Sequence, residues 1–188
     1  MRKRDGSDGY RYVRRLVSVA FADVVGYSRM MSRDEDATVT RWLSIRRTIL
    51  EPKANAYRGR LVNAIGDSVL LEFGNVLDAV AWSRDVQVAI RAFNAAQRDP
   101  IQDFQLRIAV HDCEIIDEHA DIFGDGVNIA ARLQAFAPPG GVIVSEKVYD
   151  VVRVSLDVAA ENLGPLMPKN IAAPVCAYVI DPGAAAIT

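Results

Sequence analysis

The sequence predicts an α+β domain with a ferredoxin-like βαββαβ core followed by C-terminal α/β additions. Three observations carry that expectation. Leu16-Val17-Ser18-Val19-Ala20-Phe21-Ala22 is an apolar run of strand length that ends at Asp23. Two short strand-like runs, 60–65 and 69–73, have Gly66-Asp67 between them, the pattern of a tight hairpin. Between and after them lie two stretches with apolar residues at helical spacing, the second followed by another strand-like run at 104–110.

Each element has its own local reason. Ser32-Arg33-Asp34-Glu35 reads as a helix entry, with Ser32 as N-cap and Glu35 at the capping-box position. Val39, Trp42, Leu43, Ile49 and Leu50 then share a face, until Pro52 should kink or end the helix. Val76, Ala79, Val80, Ser83, Val86, Ile90 and Phe93 recur at three and four, and Arg98-Asp99-Pro100 closes that helix. A strand near Ile115-Ile116 is expected to pair with the run at 104–110. Gly124-Asp125-Gly126 opens a short helix over 127–136 with Asp125 as N-cap. Pro138-Pro139-Gly140-Gly141 ends it, a strand follows at 142–144, and a helix at 145–152. Two weaker strands are expected near 156–159 and 175–180, and no internal repeat is present.

Composition limits what such a domain does. The chain has 188 residues, 51% of them apolar and 24% charged, which suits one soluble globular domain. A net charge of −2 argues against a nucleic-acid partner and against attraction to an anionic membrane. No run approaches the ~20 apolar residues of a membrane span. Residues 1–15 hold six basic and two acidic side chains, and 1–13 read as a basic, flexible leader without the apolar core of a secretory signal. Cys113 and Cys176 are too few for a disulfide framework and read as buried thiols in a reducing cytoplasm. His111, beside Asp112 and Cys113, reads as structural, because His119 is the only other histidine and no spacing completes a zinc site.

The chemistry-bearing residues gain meaning in combination. An Asp at a strand end is ordinarily solvated, and an Asp after Gly in a hairpin is an ordinary turn residue. In a βαββαβ sheet, however, the hairpin lies beside the end of the first strand. Asp23 and Asp67 then converge and could hold hard cations such as Mg²⁺ or Mn²⁺. Asn128 and Arg132 are four apart and share a helix face; the guanidinium suits phosphate oxygens and the amide can position a ribose. Lys169, after the Gly164-Pro165 break, is a mobile point charge suited to a triphosphate.

These residues resemble the catalytic domain of class III nucleotidyl cyclases, the adenylate and guanylate cyclases. The resemblance rests on Phe21-Ala22-Asp23-Val24-Val25-Gly26-Tyr27-Ser28, on Ile65-Gly66-Asp67-Ser68, and most strongly on Asp121-Ile122-Phe123-Gly124-Asp125-Gly126-Val127-Asn128-Ile129-Ala130-Ala131-Arg132. Pro139-Gly140-Gly141 and Lys169-Asn170-Ile171 follow in the family's order. It implies the nucleotidyl cyclase fold over 14–181, with 182–188 as a C-terminal tail. It implies two divalent cations, Mg²⁺ or Mn²⁺, held by Asp23, Asp67 and the carbonyl of Val24. Asn128 and Arg132 take the positions that orient the ribose and stabilise charge at the α-phosphate. Lys169 meets the triphosphate, and Asp121 accepts from the adenine amino group. The implied activity is adenylate cyclase: the ribose 3′-oxygen of ATP attacks in line, giving 3′,5′-cyclic AMP and pyrophosphate, in a cytoplasmic homodimer with sites at the interface.

The sequence departs from the family at three places. Asn63 stands where many adenylate cyclases carry a base-reading lysine, Ala109 and Cys113 stand where glycines are common, and Glu114 replaces a phosphate-binding arginine of some members. The departures favour an alternative, a degenerate cyclase domain that binds nucleotide or serves as a regulatory dimerisation module. Guanylate cyclase is a further reading, opposed by the carboxylate of Asp121, which would repel the guanine carbonyl. No sensor fits within this length, so a regulatory domain in a longer chain is expected.

Overall fold

The computed structural model describes residues 13–97, 103–118, 121–156 and 158–183. The basic leader, the 98–100 helix stop, His119 and the end of the C-terminal tail lie outside the described residues. The chain alternates β1 (Val13–Val24), α1 (Tyr27–Arg33), α2 (Glu35–Ile45), a π-helical turn (Arg46–Leu50), α3 (Glu51–Ala56), β2 (Gly59–Ile65), β3 (Ser68–Phe73), α4 (Val76–Ala96) and β4 (Leu106–Glu118). It continues through β5 (Asp121–Phe123), α5 (Asp125–Leu133), β6 (Val142–Ser145), α6 (Glu146–Ser155), β7 (Ala160–Leu166) and β8 (Val175–Ile180). The strands form one eight-stranded sheet in the order β2-β3-β1-β4-β6-β8-β7, with β5 paired on β4. The block β2-β3-β1-β4 is antiparallel throughout, the ferredoxin-like arrangement that the sequence predicts. The additions join through a parallel β4–β6 pair.

Strand alternation divides the core between the two sheet faces. Ala20, Ala22 and Val24 of β1 bury against Val80, Trp82, Val86 and Ile90 of α4 and against Val148 and Val152 of α6. The opposite face takes Val17 and Val19 with Leu70, Cys113 and Ile122, and is roofed by Ala130 of α5. One face is thus covered by several helices, while α5 and β5 cover only part of the other.

Several elements differ from the sequence reading, each for a physical reason. The N-cap of α2 is Asp34, whose carboxylate accepts from the Ala37 amide; Ser32 lies inside α1 and donates to the Ser28 carbonyl instead. Pro52 neither breaks nor ends the helix. The Glu51 amide reaches back to the Arg46 carbonyl, so the preceding turn widens and admits a residue without an N–H. Residues 106–118 form one strand rather than two paired ones, because β1 pairs with it from Val13 to Val24. The Ser18 hydroxyl donates to Asp112 and holds that polar stretch in the ladder (2.8 Å). Helix α5 starts at Asp125, capped by Gly124. Strand β7 lies at 160–166 rather than 156–159, because α6 runs on to Ser155. Its Gly164 and Pro165 are tolerated because β7 is an edge strand with a register shift between Asn162 and Gly164.

Candidate active site

The hairpin brings Asp67 to the end of β1. Gly66 takes φ 61°, a left-handed turn that suits glycine. The Trp42 indole, stacked on Phe104, donates Nε1–H to the Gly66 carbonyl at 2.9 Å and fixes the hairpin tip. The Val24 amide donates to the Asp67 carbonyl at 3.3 Å. Asp23 lies opposite Ser68 in the β1–β3 ladder, and the Ser68 hydroxyl donates to its carboxylate at 2.5 Å. Partial burial, then the charge of Asp23, raises the Asp67 carboxyl above its ordinary value, opposed by a backbone hydrogen bond. Tyr27 faces the same charge: burial and then Asp67 push its phenol up.

A carboxylate whose proton affinity is raised by a neighbouring carboxylate is relieved by a cation between them, so the pair fits a divalent ion. No group of three His, Cys, Asp or Glu side chains suited to a metal occurs among the described residues. Backbone carbonyl and ligand oxygens would then complete the coordination, and Val24 follows Asp23 directly.

A β-bulge places Asn63. Regular alternation would turn Asn63 toward the helices. The register slips between Leu61 and Asn63, so that Val62 packs into the second cluster and Asn63 pairs with Leu70. Asn63 therefore shares the open sheet face with Phe21 and Asp23. Ile122 of β5 is buried in that cluster with Leu70 and Val62, which draws β5 over β2. Asp121 is half-buried and accepts from the Ile122 amide at 2.9 Å.

Helix α5 lies close on β4 because two glycines admit it. A side chain at Gly126 would overlap Cys113, and one at Gly124 would press on the Glu114 carbonyl at 2.9 Å. Ala130 and Leu133 are buried, whereas Asn128 and Arg132 face solvent. Lys169, between β7 and β8, is also exposed. The structure brings Asp23, Val24 and Asp67 together, and sets Asn63 on the open face of β2 and Asp121 on β5, which touches β2 without pairing with it. It does not join Asn128, Arg132 or Lys169 to them: no hydrogen bond or ion pair links the two sets among the described residues.

Sequence reasoning missed Trp42 and Ser68, which position the hairpin tip and Asp23. The one available signal was the serine directly after Asp67. His111 is buried and pairs Nδ1 with the Ser145 hydroxyl at 2.8 Å; burial and then Lys147 lower its pKa to about 4, so it is neutral. Burial pushes the Cys113 thiol up to about 11, which leaves it inert. Cys176 is half-buried. Glu114 binds Arg14 at 2.9 Å on the surface.

Comparison with known proteins gives the family of this fold. The family description "Adenylate and Guanylate cyclase catalytic domain" matches residues 11–180. The chain belongs to the adenylate and guanylate cyclase catalytic-domain family. It is 40% identical over 171 residues to a Rhizobium meliloti (strain 1021) protein named "Putative adenylate cyclase 3", covering 90% of this chain and 29% of that protein. It is 28% identical to an adenylate cyclase of Streptomyces coelicolor, covering 73% of this chain and 34% of that one. The chain therefore spans about a third of the length of these curated relatives. Among solved structures, an adenylate/guanylate cyclase/hydrolase from Silicibacter pomeroyi superposes with TM-score 0.84 at 31% identity, covering 90% of this chain and 98% of that one. The adenylyl cyclase CyaB from P. aeruginosa shares the fold with TM-score 0.79 at 18% identity, covering 92% of this chain and 96% of that one.

Proposed function

We propose that residues 14–181 are an adenylate cyclase catalytic domain that converts ATP to 3′,5′-cyclic AMP and pyrophosphate as a homodimer. The observation that carries the reading is the closeness of Asp23 to Asp67 at the hairpin tip, while Asn128, Arg132 and Lys169 of the same chain face solvent without partners among the described residues. Two copies placed head to tail would set one chain's carboxylates against the other's α5 and form two equivalent sites. The exposed Ile65, 72% accessible on the open face and separated from Asp23 by Ser68, suits burial in that interface.

Asp23, Asp67 and the Val24 carbonyl would hold two divalent cations, Mg²⁺ or Mn²⁺. Bound there, the cations supply neutralisation of phosphate charge and acidify the ribose 3′-hydroxyl. Asn128 holds the ribose so that its 3′-oxygen lies in line with the α-phosphorus. As the new P–O bond forms and the bond to the β-phosphate breaks, Arg132 donates to the oxygens where charge grows. Lys169 binds the triphosphate and steadies the departing pyrophosphate. Asp121 accepts from the adenine amino group, and Asn63 donates to a ring nitrogen. ATP as substrate would suit a cytoplasmic location. No helix among the described residues is long and apolar enough to cross a membrane.

Asn63 favours one second reading, a nucleotide-binding or regulatory dimerisation module, because an amide is shorter than lysine and carries no charge. One assay separates the two: purified protein with Mn²⁺ or Mg²⁺ and either ATP or GTP, followed for cyclic product. Cyclic AMP formation that Asp67→Ala abolishes supports the enzyme. No cyclic product from either nucleotide, with Asp67→Ala indistinguishable from the parent, overturns it.

A further inference from the structure

A cavity of about 340 Å³ opens between the first half of α5, the β6–α6 joint and the 171–176 segment. Its walls are apolar: Ile129, Ile171, Ala173, Pro174 and Val175. Two buried polar side chains line it, His111 with a relative accessibility of 6% and Ser145 with 2%. The His111 Nδ1 is taken by the Ser145 hydroxyl, and Nε2 has no hydrogen-bond partner among the described residues. Ser145 stands at the N-cap of α6 yet makes no capping bond, because its hydroxyl serves His111. That nitrogen is not sealed within the protein, so a ligand in the cavity can reach it and supply its partner.

The charges at the cavity select against ions. Asp125, Glu146 and Lys147 are exposed, so they stand at the mouth, and their signs are mixed. The cavity includes none of Asn63, Asp121, Asn128, Arg132 or Lys169 in its lining, and apolar walls behind two carboxylates suit no triphosphate. Its position bears directly on those residues, however. Asp125 and Ile129 line it from α5, each three residues before Asn128 and Arg132, hence on the adjoining stripe of the same helix. Ile171, two residues after Lys169, forms the facing wall, and its amide bonds the Pro168 carbonyl at 3.1 Å across that lysine.

We infer that this cavity binds a small, uncharged, largely apolar molecule with one hydrogen-bonding group, anchored on the His111 ring, which adjusts the spacing of α5 and the Lys169 segment. The binding half stands on the cavity alone; the regulatory half rests on the cyclase reading. At neutral pH the ring is uncharged, so it pairs with a neutral N–H or hydroxyl without an ionisation step.

Indole and indene, which match in shape but differ in the ring N–H, test the binding half. The whole chain is titrated with each while the ring nitrogens of its two histidines are followed by NMR. Indole is expected to shift the His111 Nε2 signal saturably, with indene about fivefold weaker. Ala173→Trp, at an exposed position, fills the mouth and should abolish the indole shift while its circular dichroism matches the parent. Absence of a saturable His111 shift, equal binding of indene, or an unchanged shift in folded Ala173→Trp overturns the site. In the active parent, cyclase turnover should change with the midpoint of the NMR titration and not in Ala173→Trp; binding without that change overturns the regulatory half. A parent without cyclase activity that still gives the His111 shift supports the site and counts against the cyclase reading alone.

Discussion

The two halves of the candidate site are built differently. At the hairpin tip, Asp23 and Asp67 are held by backbone and side-chain bonds from Val24, Ser68 and Trp42, all within one chain. On α5, Asn128 and Arg132 stand on a well-anchored helix but reach into solvent, as does Lys169 on its loop. The first half is assembled at folding, at the expense of two mutually repelling carboxylates. The second is only presented, ready for something that arrives. Under the proposed function a cation would answer the first and a substrate held by a second copy would answer the second.

Mixing two inactive variants tests that division most strongly. Asp67→Ala should lower turnover on the order of 10³-fold and Arg132→Ala by at least ~10²-fold. Mixed in equal amounts and allowed to exchange, they should recover about a quarter of parental activity, because half the dimers then carry one intact site. No recovery, with exchange verified by mass spectrometry of the dimers, would place both halves in one chain and overturn the head-to-tail arrangement.

The anchoring of α5 is tested at Gly126. Its α-carbon lies against Cys113, where the family commonly has glycine, so this chain spends the free space on the cysteine side chain. Gly126→Ala should cost about 1–3 kcal/mol through overpacking and lower the melting temperature by several degrees. It should also reduce kcat by tilting Asn128 and Arg132. Cys113→Gly in the same chain should restore part of both losses, and melting curves with initial rates read the two effects separately.

Charge repulsion at the hairpin gives a smaller effect with a definite sign. The folded Asp67 carboxyl titrates above its unfolded value, so the protonated form is favoured by folding. That contribution is present in acid and is lost as pH rises through the raised value. Without metal at neutral pH, Asp67→Asn should therefore melt about 1–2 °C higher than the parent, a modest gain because the group is largely solvated. With Mn²⁺ the order should reverse, since only the parent gains from binding. An Asn variant that melts below the metal-free parent contradicts the electrostatic account.

Much of the fold was legible because its signals are local. The Gly66-Asp67 hairpin, the period of α4 and the run at 16–22 placed the βαββαβ core, and that topology alone put Asp67 beside Asp23. What was not legible depends on distant partners. Residues 104–118 look like two strands until a twelve-residue β1 is laid beside them. Pro52 looks like a stop until the preceding turn widens. Nothing near Trp42 in sequence says that its indole will meet a hairpin carbonyl 24 positions on.

Asn63 joins that lesson to the last and smallest prediction. From the sequence it is a missing lysine. In the structure it sits just past the bulge, on the open face with Phe21 and Asp23 and beside the strand carrying Asp121. Under the proposed function the backbone would still present this position toward the base, and what changed would be reach and charge. Asn63→Lys should therefore raise ATP turnover severalfold, chiefly through KM, because a longer cationic donor reaches a ring nitrogen that an amide approaches less closely. GTP turnover should not rise with it, since Asp121 still faces the guanine carbonyl. If kcat/KM for ATP stays at the parental value, base reading does not run through this position, and the bulge serves only the packing of Val62.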